Sequence, residues 1–273
     1  MTEAQLRAMR SASSLLGREL TFLEEFTGGQ HATTILTTDG ENELVVRAFP
    51  AHHDAAVREA EISERLSALG VWVPHLVAAS TELENPLIVT SRVVGSTPPP
   101  GLSPMTMATE MAAALVHIHE IDGTGLRPTP AEPPRGHAPI IKRAQREWDR
   151  LGMNEAVLTH SDFWCGNALW EGARLTGVVD WSGARCGPPG VDVAWCRQDL
   201  VLLGSPEAAE LFLAEYERLL GRPISDINAW DVQAAARAHD RVETWLPNYH
   251  GIGRTDITAK LLRERLDAWN ATL

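Results

Sequence analysis

The sequence predicts an α+β protein with a small N-terminal antiparallel sheet carrying one helix, followed by a larger and mainly helical C-terminal lobe. Three observations predict it. Short apolar or alternating runs bounded by Gly, Asp-Gly and Pro crowd into roughly the first 90 residues, as strands do. The Pro/Gly-rich stretch Gly95-Ser96-Thr97-Pro98-Pro99-Pro100-Gly101 then breaks the pattern, as a boundary does. Beyond residue 190 the apolar spacing is helical almost to the end. The expected lobes are residues 1–94 and 95–273.

The elements follow in order. Residues 20–26 alternate loosely and run into Gly28-Gly29; residues 31–37 form a second run ending at the Asp39-Gly40 turn; residues 44–49 form a third. Residues 53–69 carry Ala56, Ile62, Leu66 and Leu69 on one helical stripe. Residues 76–79 and 86–90 are two further strands. Past the Pro/Gly segment, residues 106–121 are expected to be helical and the Pro-rich residues 128–139 to form a surface loop. Residues 168–170 and 175–179 flank the turn formers Glu171-Gly172-Ala173, a β-hairpin pattern with a loop of about four residues. Helices are expected over 191–203, 206–220, 227–245 and 256–269; Ser205-Pro206 is a helix start and Gly221 a stop.

Composition narrows the function. The 273 residues carry a net charge of −12, which argues against nucleic acid as a partner and fits a cationic small substrate. No run approaches the roughly 20 apolar residues of a transmembrane helix, so no membrane partner is expected. The N-terminus is polar and lacks the basic and apolar regions of a secretory signal. The three cysteines, Cys165, Cys186 and Cys196, form no C-x-x-C pair, which fits neither a disulfide framework nor zinc and leads us to expect a reducing cytoplasm. Cys165 reads as a small buried residue rather than a reactive thiol.

The chemistry concentrates in Leu158-Thr159-His160-Ser161-Asp162-Phe163-Trp164-Cys165-Gly166-Asn167 and in Val178-Val179-Asp180-Trp181. One carboxylate, Asp162, can orient a hydroxyl nucleophile. An amide, Asn167, and a second carboxylate, Asp180, can hold magnesium on a nucleotide. If the hairpin is symmetric about its loop, Asn167 and Asp180 face each other across its strands. An isolated Asp or Asn at a strand end is usually a turn residue, but turn formation does not require the His-x-Asp.

These residues resemble the catalytic loop and metal segment of the aminoglycoside phosphotransferase family, relatives of the protein kinases. That family shows His-Gly-Asp-x-x-x-x-Asn, then Ile/Val-Asp-Trp, then Gly-x-Pro and a further Asp. Here the equivalents are His160-Ser161-Asp162, Asn167, Val179-Asp180-Trp181, and Gly187-Pro188-Pro189-Gly190-Val191-Asp192. Ser161 stands where Gly is usual, and Ser182 where many members carry an acid. The resemblance implies a protein-kinase-like two-lobed fold that moves the γ-phosphoryl of ATP or GTP, with Mg2+, to a hydroxyl of a small molecule.

In that frame Asp162 is the catalytic residue and Asn167 and Asp180 are the metal ligands. Arg47 binds phosphate, oriented by Glu59, with Glu61 or Glu64 as alternatives. Gly28 and Gly29 lie in the phosphate-covering turn, and backbone groups near Thr90 to Val93, Ser91 and Val93 among them, meet the adenine. His160 braces the catalytic loop, Asp192 accepts hydrogen bonds from its backbone, and His119 is a structural hydrogen-bonder. An aminoglycoside-type antibiotic is the implied acceptor, with Asp231, Asp240 and Glu243 as anchors for an amine and Trp245 and Tyr249 as stacking surfaces. The alternatives are a metabolite such as choline, homoserine or a sugar derivative, or a non-catalytic nucleotide-binding protein on the same fold.

Overall fold

The structure, a computed structural model, describes residues 1–26, 32–82, 84–130 and 132–273. By its contacts the chain divides into two compact units. The first is Met1–Val94 with Gly177–Ala184, and the second is Gly95–Thr176 with Arg185–Leu273. A single cut in the chain leaves Gly177–Ala184 with the second unit; its packing puts it with the first. Gly177 makes that packing possible, because a Cβ there would lie 2.3 Å from Val93 Cγ1 and 2.9 Å from the Trp72 carbonyl oxygen.

The first unit is built on a five-stranded antiparallel sheet in the order β1-β2-β3-β5-β4. Its strands are β1 (Thr21–Glu25), β2 (Thr33–Thr38), β3 (Glu43–Ala48), β4 (Leu76–Ser80) and β5 (Leu87–Ser91). Two helices accompany it, α1 (Glu3–Leu16) and α2 (Ala55–Leu66). The sequence pattern anticipated α2 but not α1. The signal for α1 was present: Thr2 and Gln5 form a reciprocal capping box, and Gly17 closes the helix in the left-handed conformation at φ 65°.

Strand alternation explains why both helices are needed. Leu44, Val46, Leu87 and Val89 pack with Ala8 and Ala12 of α1. The intervening Ile88 packs with Phe49, Ala55 and Ala56 at the start of α2. The sheet is therefore covered on both faces, and the first four residues of β5 are all buried.

The second unit is mainly helical. It holds α3 (Pro104–His119), α4 (Pro139–Glu147), the paired strands β6 (Val157–Thr159) and β9 (Arg185–Gly187), and β7 (Ala168–Glu171) with most of β8 (Arg174–Val178). Then follow α5 (Gly190–Leu202), α6 (Pro206–Leu220), α7 (Ile227–Ala238), α8 (Leu246–Gly251) and α9 (Ala259–Asn270). Helix α3 starts as the sequence chemistry dictates, with Ser103 accepting from the Thr106 N–H and Pro104 in the first turn. Helices α3, α6 and α7 all pack on α5. Every residue of α5 is buried except the partly exposed Trp195.

Two expectations are corrected, and a further helix was not anticipated. The helix expected over 227–245 ends at Ala238 and resumes as a short 3-10 turn, Val242–Trp245. The unanticipated α4 follows the Pro-rich stretch, with Pro139 at its N-terminus. The hairpin turn between β7 and β8 is only Gly172-Ala173, and neither Asn167 nor Asp180 belongs to its ladder. Asn167 ends a 3-10 turn, Cys165–Asn167, and Asp180 is left-handed at φ 62°.

Candidate active site

In the second unit the loop from His160 to Asn167 is held by one stripe of α5. Asp192, Trp195 and Asp199 are spaced i, i+3, i+7 and so project from the same side of the helix. Asp192, fully buried, accepts from the backbone N–H of His160 and of Ser161, both at 2.6 Å, and lies 3.1 Å from His119 Nε2. His119 Nδ1 in turn meets the Tyr216 hydroxyl at 2.7 Å. Asp199 accepts from the Cys165 N–H at 3.0 Å and from the Tyr249 hydroxyl at 2.9 Å. Burial raises the Asp199 carboxyl, and the Cys165 N–H and the Tyr249 hydroxyl oppose that rise.

Buried carboxylates are costly unless such donors reach them, so the pair fixes the backbone of the loop at both ends. His160 is fully buried and its ring meets Phe163 edge-on at 6.0 Å. Gly166 leaves room for the Trp164 ring, which a Cβ would approach to 2.2 Å. The Cys165 thiol is buried and pushed well up, first by burial, so it is inert. Asp192→Ala should strand the buried N–H of His160, the part-buried N–H of Ser161 and His119. The expected cost is about 3–5 kcal/mol of folding stability, the range for breaking a buried charged pair, read by chemical denaturation; a loss below about 1 kcal/mol would contradict the role.

Between these anchors stands Asp162. The Trp195 indole N–H donates to its Oδ1 at 3.0 Å, and Asn167 Nδ2 donates to its Oδ2 at 3.2 Å and to its backbone carbonyl at 2.9 Å. Both carboxylate oxygens are thereby oriented. Because the Asn167 amide nitrogen is turned to Asp162, its oxygen is directed elsewhere and offers a hard donor to a cation. Ser161, where the family usually has Gly, sits at φ 66°. That backbone conformation favours glycine, so the substitution keeps the turn at a conformational cost.

In the first unit Arg47 lies on β3, paired with Thr34 and Ile88 on its two sides. Its guanidinium donates to Glu59 of α2 through Nη1 and to Asp180 Oδ1 at 2.9 Å through Nη2. Glu59, not Glu61 or Glu64, is the partner. Burial works against the Arg47 charge, but Glu59 and Asp180 outweigh it and hold the guanidinium above its ordinary pKa. Ser182, in place of an acid, donates its hydroxyl to Asp180 Oδ1 at 2.9 Å. The left-handed backbone of Asp180 is the kind of conformation that surrounding structure must hold in place.

The remaining expected residues fall out unevenly. Gly28 and Gly29 lie outside the described residues. Ser91 ends β5, and both its groups are engaged with His75: its N–H donates to the His75 carbonyl at 2.8 Å, and its hydroxyl accepts from the His75 N–H at 2.9 Å. Its N–H is thus unavailable to an adenine. Val93 is buried.

The acidic anchors are mostly corrected. Asp231 is fully buried and takes Arg197 Nε at 3.1 and 3.2 Å; burial raises its pKa to about 6, with Arg197 opposing. It is an internal ion pair between α7 and α5. Glu243 is neutralised by Arg263 at 2.6 and 2.8 Å. Asp240 is exposed, 3.8 Å from His239. Tyr249 is buried on Asp199 and offers no stacking face. Trp245 alone of this group reaches the site, its ring 5.4 Å from that of Trp195.

Trp195 and Asp199 were missed as loop-holding residues. Their signal was the i, i+3, i+7 spacing from Asp192, polar-tipped groups on one side of a mostly apolar helix.

Residues 23–232 match the family model described as phosphotransferase enzyme family. No curated protein matches the chain. Among solved structures, macrolide 2'-phosphotransferase MphH from Brachybacterium faecium superposes with a TM-score of 0.63 at 19% identity, covering 97% of each chain. A type VIII aminoglycoside-3'-phosphotransferase gives 0.61 at 18% identity, covering 85% of this chain and 98% of its own. A thermostable mutant of aminoglycoside phosphotransferase APH(4)-Ia, in ternary complex with AMP-PNP and hygromycin B, gives 0.62 at 16% identity, covering 93% of this chain and 97% of its own. At such identities the structures speak for the fold, which is that of the kinase-like phosphotransferases. With the family model spanning most of its length and the His160–Asn167 loop and the Asp180 segment inside that span, this chain belongs to the aminoglycoside phosphotransferase family of phosphotransferase enzymes.

Proposed function

We propose that the protein transfers the γ-phosphoryl group of a nucleoside triphosphate to a hydroxyl group of a small molecule. The observation that carries this reading is Asp162: a carboxylate with a donor on each oxygen, in a loop tied down by Asp192 and Asp199. A hydroxyl hydrogen-bonded to that carboxylate is aimed and can give up its proton. The acceptor oxygen forms a bond to the γ-phosphorus, the bond from that phosphorus to the β–γ bridging oxygen breaks, and the proton passes to Asp162 and on to solvent. Positioning and charge compensation supply most of the acceleration in such reactions.

Asn167 and Asp180 are the proposed magnesium ligands. Their amide and carboxylate oxygens suit a hard cation, which would neutralise charge on the nucleotide phosphates. Arg47, kept charged and oriented by Glu59, is the proposed phosphate ligand; a guanidinium matches phosphate oxygens two at a time. The nucleotide analogue in the APH(4)-Ia complex supports ATP as the donor.

Thermal stability should rise when ATP or GTP is added with magnesium at millimolar concentration, as for any ligand that binds only the native state. No rise with either nucleotide would count against the whole reading. A scaffold that only binds nucleotide would show the rise but no phosphorylated product by mass spectrometry. Among acceptors, an aminoglycoside-type antibiotic needs carboxylates to receive its amines. Asp231 and Glu243 are already taken by arginines and Asp240 alone of the three is left exposed, which favours the other acceptors, a metabolite or sugar derivative, over a polyamine.

A further inference from the structure

An arginine stands beside Asp162 in a protein that is acidic as a whole. With a net charge of −12, the chain nonetheless places Arg237 on the surface beside its catalytic loop. Arg237, near the end of α7, lays its guanidinium over the Trp195 ring at 4.8 Å from the centroid. This is the same ring whose N–H orients Asp162. Arg237 is exposed and makes no ion pair among the described residues. The charges that act on it are of both signs, Asp162 first among them and the cations Arg241 and Arg185 beside it. Desolvation lowers its pKa, Asp162 and Asp192 oppose that, and the like charges of Arg241 and Arg185 reinforce it.

Two arginines of the neighbouring helices are paired with acids. Arg197 is committed to Asp231 and Glu210, and Arg263 to Glu243. Arg237 instead stacks on the tryptophan that holds the catalytic carboxylate and makes no ion pair among the described residues. The partly exposed Trp245 closes the edge of the same aromatic pair.

We propose that Arg237 is a specificity-determining residue for the acceptor, and that the acceptor is a ring-faced alcohol carrying a carboxylate or phosphate rather than a polyamine. The inference rests on the phosphotransferase reading above and deepens it. An anion beside the reacting hydroxyl would pair with Arg237, whose guanidinium is held in place by Trp195, so little side-chain freedom is lost on binding. Trp245 gives an apolar surface for the ring face. A cationic group in that position would meet Arg237 and Arg241 and be repelled.

The test uses two acceptor series that each hold an anionic, a neutral and a cationic member: glucuronate, glucose and glucosamine, and 4-(hydroxymethyl)benzoate, benzyl alcohol and 4-(aminomethyl)benzyl alcohol. Each is incubated with enzyme, ATP and magnesium, and phosphorylated acceptor is measured by mass spectrometry. The carboxylate member of at least one series should be preferred. Arg237→Gln should raise its KM about tenfold or more while kcat changes by less than about threefold, the signature of lost binding rather than lost chemistry. Nucleotide affinity should stay unchanged. The proposal is overturned if the amine members are the better acceptors, if Arg237→Gln leaves the order and the KM unaltered, or if no member of either series accepts phosphate. Failure of the underlying reading looks different: no ATP or GTP binding with magnesium. If an amine acceptor is phosphorylated and nucleotide binds, the enzyme reading stands and only the acceptor proposal falls.

Discussion

Asp162→Ala should lower phosphoryl transfer by about 10²–10⁴-fold, the usual contribution of a positioned proton acceptor, while leaving nucleotide affinity unchanged. The reason is the direction in which each contact points. Asp162 is held by Trp195 and Asn167, not by the arginine that is proposed to meet phosphate. Its loss removes the partner of the acceptor hydroxyl and should appear in kcat. Truncation also leaves the Trp195 indole N–H and the Asn167 amide without their acceptor, so Asp162→Asn belongs beside it. The asparagine keeps the shape and one acceptor oxygen but cannot take the proton. Both variants should lose turnover to that extent and the second should melt close to the parent. Near-normal turnover in Asp162→Asn would mean that another group receives the proton, and the catalytic assignment would be wrong.

Asp180 should behave differently. Its replacement is expected to abolish transfer and also to weaken magnesium–nucleotide binding, because a proposed metal ligand goes with the side chain. Two further consequences follow from its surroundings. Arg47 Nη2 and the Ser182 hydroxyl both lose their acceptor, although Glu59 still pairs with Arg47. The backbone is left-handed at φ 62°, a conformation that costs most residues about 1–2 kcal/mol but that Asn adopts readily. Asp180→Asn is thus the decisive variant. It preserves the turn and an acceptor for Arg47 while removing the carboxylate charge. Calorimetric titration with ATP should show normal affinity without magnesium and a loss of the magnesium-dependent gain. If Asp180→Asn kept that gain in full, the metal assignment would have to move to another residue.

The two variants separate because the residues differ in partners, and those partners were only partly legible in the sequence. The spacing of Asp162, Asn167 and Asp180 and the likeness of their motifs to a known family could be read along the chain, and the family match covers all three. Glu59 was chosen correctly over Glu61 and Glu64 as the partner of Arg47. Helix α1 was overlooked although Thr2 and Gln5 spell its cap. The reading of Asp231 as a surface anchor failed for a physical reason. An acid on a helix looks the same in sequence whether water or a buried arginine faces it, and Arg197, which decides the matter, is 34 residues away.

Contiguous residues were enough for most strands, most helices and the motif of the reacting carboxylate, because alternation, helical spacing, caps and catalytic spacing are local; the short β6 and β9 pair with each other across the chain and left no such pattern. Only the tertiary structure decided what each side chain meets. It brought Arg47 and Asp180 together across 133 positions, set Asp192, Trp195 and Asp199 of α5 against the His160–Asn167 loop, and laid Arg237 over Trp195. A charged side chain takes its function from its neighbours, and packing alone chooses them.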